Sequence, residues 1–131
     1  VKLRGYNNKA ADEFNTASFS LLTSSAEGLP GVLIESMGRG CIPISYDIPY
    51  GPADIITHGV DGYLVPNGDI EALAAQIREI VAASPAELAP MRKAGYMRAL
   101  DFSDEHVMEL WSALMAQIAA KRKAPGEAPR A

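Results

Sequence analysis

Cysteine is nearly absent from this chain: Cys41 is the single one in 131 residues. An intrachain disulfide and a cysteine-built metal cluster are both excluded on that count. Cys41 opens an apolar stretch, so a buried and inert thiol is expected, and a reducing compartment is consistent with it. Histidine is almost as scarce. His58 and His106 lie far apart without a neighbouring ligand set, so no metal site is expected. Positive charge is short too: 12 Lys and Arg face 16 Asp and Glu, for a formal net charge of −4. Nucleic acid is therefore not an expected partner, and bulk attraction to anionic lipid is not expected either. The one basic cluster, Lys121-Arg122-Lys123, ends a helical pattern, where it complements the negative end of the helix dipole. No apolar run approaches the ~18–20 residues that span a bilayer. The opening Val1-Lys2-Leu3-Arg4-Gly5 alternates like a strand and not like a signal peptide. A start without Met, directly in a strand-like stretch, is what a piece of a longer protein would show.

What is present is an ordinary globular composition, 48% hydrophobic and 21% charged, in a length that suits one domain with a real core. Strand patterns fall at residues 1–5, 18–23, 41–46 and 62–66. Between them, residues 7–16 read as a helix capped by Asn7 or Asn8, and residues 30–39 as a helix with Pro30 at its first position and Gly40 ending it. Pro52 opens a short helix through Ile56. Asp69 caps a longer helix with Ile70, Leu73, Ala74, Ile77, Ile80 and Val81 at helical spacing. Ser84-Pro85-Ala86-Glu87 is a capping box opening a helix to about residue 99. Ser103 caps the last helix, with Val107, Trp111, Leu114 and Ile118 as its buried stripe; Trp111 reads as core or as a contact with another domain. Strands alternating with helices imply βαβ units. The fold class expected is α/β, a Rossmann-like three-layer domain with a parallel sheet and C-terminal helices, over residues 1–123. Residues 124–131, rich in Pro, Gly and Ala, read as a disordered tail.

Ligands of such sheets bind beyond the carboxyl ends of the strands. The loops placed there are residues 5–8, 24–30, 46–51 and 66–68, which are also those richest in Gly, Pro and polar residues. Chemistry concentrates in residues 24–38. Glu27 lies in the loop, and Glu35 in the second turn of the helix that follows. Gly31, Glu35 and Gly38 share one helix face, and glycine beside an acid lets a ligand approach the backbone closely. Amides at the helix start would face an anion. A phosphate there, with a hydroxyl-rich sugar or ribose near each carboxylate, fits. The same pattern also fits a plain strand–loop–helix unit whose acid stabilises the helix dipole. Tyr46, Asp47 and Tyr50 could line such a site or simply make their turn. Asp54 reads as a first-turn acid and His58 as a helix-end residue.

Several motifs recur in order: Glu27-Gly28 with seven residues between Glu27 and Glu35, then Gly38-Arg39-Gly40-Cys41-Ile42-Pro43-Ile44, then Gly59-Val60-Asp61-Gly62-Tyr63-Leu64-Val65. Together they resemble the C-terminal domain of retaining GT-B glycosyltransferases of family four. The run from Tyr46 to Ile56 is similar to one branch, the poly(glycerol-phosphate) α-glucosyltransferases and related teichoic-acid glycosyltransferases. That resemblance implies half of a GT-B fold. It implies a catalytic Glu27 touching donor-sugar hydroxyls, and Glu35 holding the ribose hydroxyls. It also implies that the backbone of Gly28, Leu29, Pro30 and Gly31 meets sugar or diphosphate. The Gly5-Tyr6 turn resembles the family's base-edge loop, and Tyr6 is equally readable as a core aromatic. The implied donor is a nucleotide diphosphate sugar, UDP-linked by the branch resemblance, with no cofactor or metal. Implied partners are an N-terminal domain of the same longer chain and a cell-wall or polyol-phosphate acceptor, with a cytoplasmic location, peripheral at the inner membrane face. Departures are Leu29-Pro30 where many relatives have Phe-Gly, and Ser36 where they have Ala; Pro30 removes one N–H. The family's basic Arg/Lys pair would lie upstream of Val1, so the 131 residues alone are expected to be inactive. The rivals are a non-enzymatic Rossmann-like binding or regulatory module, and a receiver-like domain, which would need acids clustered at the strand ends.

Overall fold

The structure, a computed structural model, describes residue 3 and residues 5–123. Of the expected strand at residues 1–5, residues 1, 2 and 4 lie outside the described set, and so does the expected tail at residues 124–131. Leu3 and Gly5 are in no strand. The chain divides into two compact units, Val1–Leu100 and Asp101–Ala131.

The first unit is built on a parallel sheet of β1 (Phe19–Leu22), β2 (Ile42–Asp47) and β3 (Tyr63–Pro66), in the order β1-β2-β3. Five of the six residues of the central strand β2 are buried, as a strand covered on both faces requires. Pro43 sits second in it, near the start, where its missing N–H is tolerated. Pairing aligns Phe19 with Ile42, Ser20 with Pro43, and Ile44 with Tyr63, which sorts side chains by face. On one face Ile42 and Ile44 meet Ile80, with Phe19, Tyr63, Leu73, Ile77, Leu88 and Met91 packed around them; Tyr46, Ile48 and Val65 continue that layer. On the other face Ser20 meets Ser36. Helices α1 (Gly31–Met37) and α2 (Pro52–Ile55) follow β1 and β2, and α3 (Ile70–Ala82) and α4 (Pro85–Leu100) follow β3. The result is the expected three-layer, Rossmann-like arrangement. Early in α4, Leu88 and Met91 pack on the Ile80 layer. Further along, Gly95 lies against Met37 and the Asp61 carbonyl.

Local chemistry explains where the elements differ from expectation. Residues 7–16 form a 3-10 helix, Ala10–Asn15, and not an α-helix capped by Asn7 or Asn8. Asn7 spends its side-chain oxygen on the Lys9 N–H at 2.9 Å, a local turn that competes with capping. None of the six helical residues is buried, so no packing rewards a longer helix. Pro30 stands one residue ahead of α1, at φ −75° and ψ 89°, and not at its first position. The helix ends as Gly40 requires: with φ +80°, its N–H reaches Met37 O at 2.9 Å and the Cys41 N–H reaches Ser36 O at 3.0 Å, the paired closure of a left-handed helix end. Asp69 caps α3 through Ala72 N–H at 2.9 Å. In α3, Ile80 is buried, but Ile70 and Val81 are 72% and 67% exposed. Val81 is turned about 100° from Ile80, off the buried face, and Ile70 sits at the helix mouth. The capping box of α4 closes in both directions between Ser84 and Glu87.

The second unit consists of α5 (Asp104–Lys123) and its flanks. Ser103 Oγ accepts the His106 N–H at 3.2 Å, so the expected cap forms. The expected buried stripe does not. Val107, Trp111, Leu114 and Ile118 are 37 to 56% exposed, because a lone helix has no second layer in its own unit to bury against. Trp111 is therefore not a core residue of the described structure.

Candidate functional site

Because all three strands are parallel, the segments after Leu22, Asp47 and Pro66 open at one edge of the sheet. Residues 24–30 occupy the first of these exits. Glu27 is half-buried there, Gly28 and Leu29 are exposed, and Pro30 is buried. Gly31 begins α1 and Glu35 stands exposed one turn on. A Cβ placed on Gly28 or Gly31 would meet nothing within 4 Å, so the backbone between the two acids can be approached closely. Gly38 differs: its Cβ would lie 3.7 Å from Ala99 Cβ and 3.4 Å from Ile34 O. A Cβ there would make ordinary contact with α4, so the fully open backbone lies at Gly28 and Gly31 and not at Gly38. The Leu33 N–H turns back to Pro30 O at 3.0 Å, which leaves Gly31 and Val32 as the helix-start amides that lack an intrahelical partner by geometry.

Ser36 fixes α1, and with it Glu35, against β1. Fully buried, its Oγ donates to Leu33 O at 2.9 Å and lies 2.8 Å from Ser20 Oγ. Gly5 and Tyr6 precede the 3-10 helix, and among the described residues no hydrogen bond ties them to residues 27–35. Tyr6 is 96% exposed, which overturns its reading as a core aromatic. Tyr46 is buried beside Ile48 and Val65, while Asp47 and Tyr50 are exposed at the same edge as Glu27. His58 accepts the Leu64 N–H on Nδ1 at 3.1 Å and meets Tyr63 edge-on. It pins a turn ahead of β3, away from the loop edge. Buried Asp61 does the same through Thr57 N–H at 2.7 Å.

Sequence reasoning passed over Gly51. Its φ is +97°, and a Cβ there would stand 2.1 Å from Gly28 O and 2.7 Å from Pro30 Cδ. The loop after β2 thus lies directly against the loop after β1. The signal was present in Gly51-Pro52, a turn dipeptide before a helix, but its cross-loop contact has no sequence signature.

Concave surface elsewhere is of another kind. A pocket of about 410 Å³ between α3 and α4 is lined by Tyr63, Glu79, Ile80, Glu87 and Leu88. Glu87 is spent on capping α4 and Glu79 on Gln76, while burial and the neighbouring Glu79 charge push the Tyr63 phenol up from its ordinary pKa. Among the described residues no group of three His, Cys, Asp or Glu is placed to hold a metal ion, and no helix is long and apolar enough to cross a membrane.

The pattern of the family described as glycosyl transferases group 1 matches residues 1–98. The chain belongs to that family. An exopolysaccharide phosphotransferase of Streptomyces coelicolor is 32% identical over 126 residues, 95% of this chain but 13% of that protein. The poly(glycerol-phosphate) alpha-glucosyltransferase of Bacillus subtilis is 34% identical over 77 residues, 59% of this chain and 11% of its own length. Among solved structures, a TarM mutant of S. aureus in complex with fondaparinux, alpha-GlcNAc-glycerol and UDP superposes with a TM-score of 0.77 at 28% identity, over 87% of this chain and 23% of that one. A sucrose-phosphate synthase from Thermosynechococcus elongatus gives 0.73 at 28%, over 83% and 27%. The glycosyltransferase neighbours share the GT-B fold, and the resemblance to poly(glycerol-phosphate) glucosyltransferases read from the motifs agrees with the relatives found. This chain spans between about a tenth and a quarter of the length of these proteins.

Proposed function

We propose that this chain is the donor-binding part of a retaining glycosyltransferase that moves a hexose or N-acetylhexosamine from a UDP-sugar to a cell-wall or polyol-phosphate type acceptor. The observation that carries the reading is the pairing of half-buried Glu27 and exposed Glu35 around a backbone open at Gly28 and Gly31, at the sheet edge where such folds take ligands. Glu35 accepts both ribose hydroxyls, since one carboxylate can receive two parallel hydrogen bonds. Glu27 accepts hydroxyls of the donor sugar and keeps its anomeric carbon facing the acceptor. The Gly31 and Val32 amides face the diphosphate. In the transfer, the bond from the anomeric carbon to the β-phosphate oxygen breaks and a bond to the acceptor oxygen forms on the same face. The electron pair leaves on the UDP, and the acceptor proton departs with it. Donors aimed at that developing charge are the main source of acceleration. A basic pair and an acceptor-binding domain from elsewhere in a longer protein complete the site, so the 131 residues alone transfer no sugar. The donor is bound on the cytoplasmic side, with the longer protein peripheral at the membrane.

Two observations support the reading: the family match and the UDP in a neighbour's complex. Calorimetry of the full-length protein against UDP-, GDP- and ADP-sugars tests it. Glu35→Ala should weaken UDP binding roughly tenfold to a hundredfold, the worth of about 1.5–3 kcal/mol for hydrogen bonds to a charged group. Glu27→Ala should leave UDP affinity in place and lower turnover. Wild-type affinity and rate in both variants would sink the assignment.

A further inference from the structure

The loop that carries Glu27 has a neighbour across the sheet edge. Gly28 and Leu29 are exposed, and the support comes across the sheet edge from Gly51. That residue is buried, and its backbone lies so close to Gly28 O and Pro30 Cδ that a Cβ would have to displace both, at 2.1 and 2.7 Å. Neither obstacle is a flexible side-chain tip. One is a carbonyl one peptide away from Glu27, and the other is the Pro30 ring just ahead of α1. Gly51 is itself held in place. Its N–H donates to Asp54 Oδ2 at 3.2 Å, and the Asp54 N–H returns to Gly51 O at 3.1 Å. Arg98 of α4 then holds the far end of α2, donating from Nη2 to Asp54 O at 2.6 Å and from Nε to Ile55 O at 3.0 Å. A rigid chain therefore runs from α4 through α2 to the peptide beside Glu27.

We propose that Gly51, locked by the Asp54 carboxylate, is a positioning residue that sets the Glu27–Gly28 segment against the donor sugar. The inference rests on the donor-site reading above and adds to it where the precision of that site originates. Asp54 is on this account no ligand: its carboxylate is committed to the Gly51 amide. Glu35 lies in α1, tied to β1 through Ser36 and Ser20, so moving Gly28 disturbs the sugar end of the site and leaves the Glu35–ribose contact in place.

Steady-state kinetics and UDP calorimetry on the full-length protein test this with four variants. Gly51→Ala should lower kcat about a hundredfold, the typical consequence of displacing a reacting group by about 1 Å, while the dissociation constant for UDP alone stays within about threefold. Gly59→Ala is the control for backbone strain. Gly59 has a comparable φ of +76°, but a Cβ there meets nothing within 4 Å; it should lower stability and leave kcat unchanged. Asp54→Ala should lower kcat about tenfold, whereas Asp54→Asn, whose amide oxygen can still accept the Gly51 N–H, should restore it to within about threefold of the parent. Equal losses in Gly51→Ala and Gly59→Ala, a parallel loss of UDP affinity and turnover, or no rescue by Asn would each overturn the positioning role. If Gly51→Ala fails to fold, the Asp54 pair decides. A parent protein that binds UDP through Glu35 while Gly51→Ala and Asp54→Ala turn over normally would remove this inference alone. A parent that neither binds UDP nor transfers sugar would remove the donor-site reading, and this inference with it.

Discussion

At the scale of single residues, Cys41 shows how placement decides reactivity. Its thiol is 1% exposed and points at the carbonyls of Phe14 and Ala17, each at 3.4 Å. Burial raises its pKa above the ordinary thiol value, and the positive charges of Arg92 and Arg39 offset only part of that. The thiolate is the reactive species, so at pH 8 the folded chain should react with a disulfide reagent far more slowly than the urea-unfolded chain. A local opening cost of about 2.7 kcal/mol is enough to slow labelling about a hundredfold. Equal rates in the two states would show that the 3-10 helix does not cover the sulfur. Ser36 makes a related point. Where many members of the family have Ala, this chain buries a hydroxyl and satisfies it twice over. The departure therefore tightens the α1–β1 contact without leaving a polar group unpaired.

At the scale of elements, the ends of helices carry the most legible chemistry. Ser84 N and Oγ both reach Glu87 Oε2, at 2.8 and 2.7 Å, and these two bonds hold the Glu87 carboxyl below its ordinary pKa. A carboxylate with a lowered folded pKa contributes stability that is present above its unfolded value and lost as pH falls through the folded one. The start of α4 should therefore loosen only at a pH below the usual Glu range. In Ser84→Ala the hydroxyl bond goes, so Glu87 should titrate higher, which a carboxyl carbon NMR titration reads directly; unchanged titration would mean that the box does not form in solution. Such caps were readable because they are local: Asp69, Ser84 and Ser103 each act on an amide three residues on. The apolar run of β2 and the closing role of Gly40 were readable for the same reason. Most of what escaped the sequence depends on contacts across the fold; the turn at Asn7 is the local exception. Asn7 spends its oxygen on a turn, so α-helix gives way to a 3-10 helix. Gly38 packs on Ala99, 61 positions away, and Gly51 on Gly28. In the candidate site both acids and their open glycines could be named in advance, because they sit on one strand–loop–helix unit. The brace on that unit could not, because it arrives from another loop.

At the scale of the whole molecule, the buried side chains are unevenly shared. Among the described residues every buried hydrophobic one, from Leu33 to Ile80, lies in the unit Val1–Leu100. In the unit Asp101–Ala131, helix α5 keeps its apolar side chains exposed, with Trp111 at 56% and Met115 at 60%. Composition alone could not reveal this, since an apolar stripe at helical spacing looks the same whether or not a second layer covers it. Folding energy follows burial, at roughly 25 cal/mol per Å² of apolar surface removed from water, so among the described residues the apolar core belongs to the sheet unit. The same argument fixes the optical signal. Trp111 is the sole tryptophan, so its emission in the 131-residue chain reports on α5 alone. It should be red-shifted and open to acrylamide quenching before any urea is added, while the circular dichroism of the sheet unit still shows it folded. A tryptophan that is blue-shifted and shielded in the native chain would show that the apolar stripe of α5 is covered in solution.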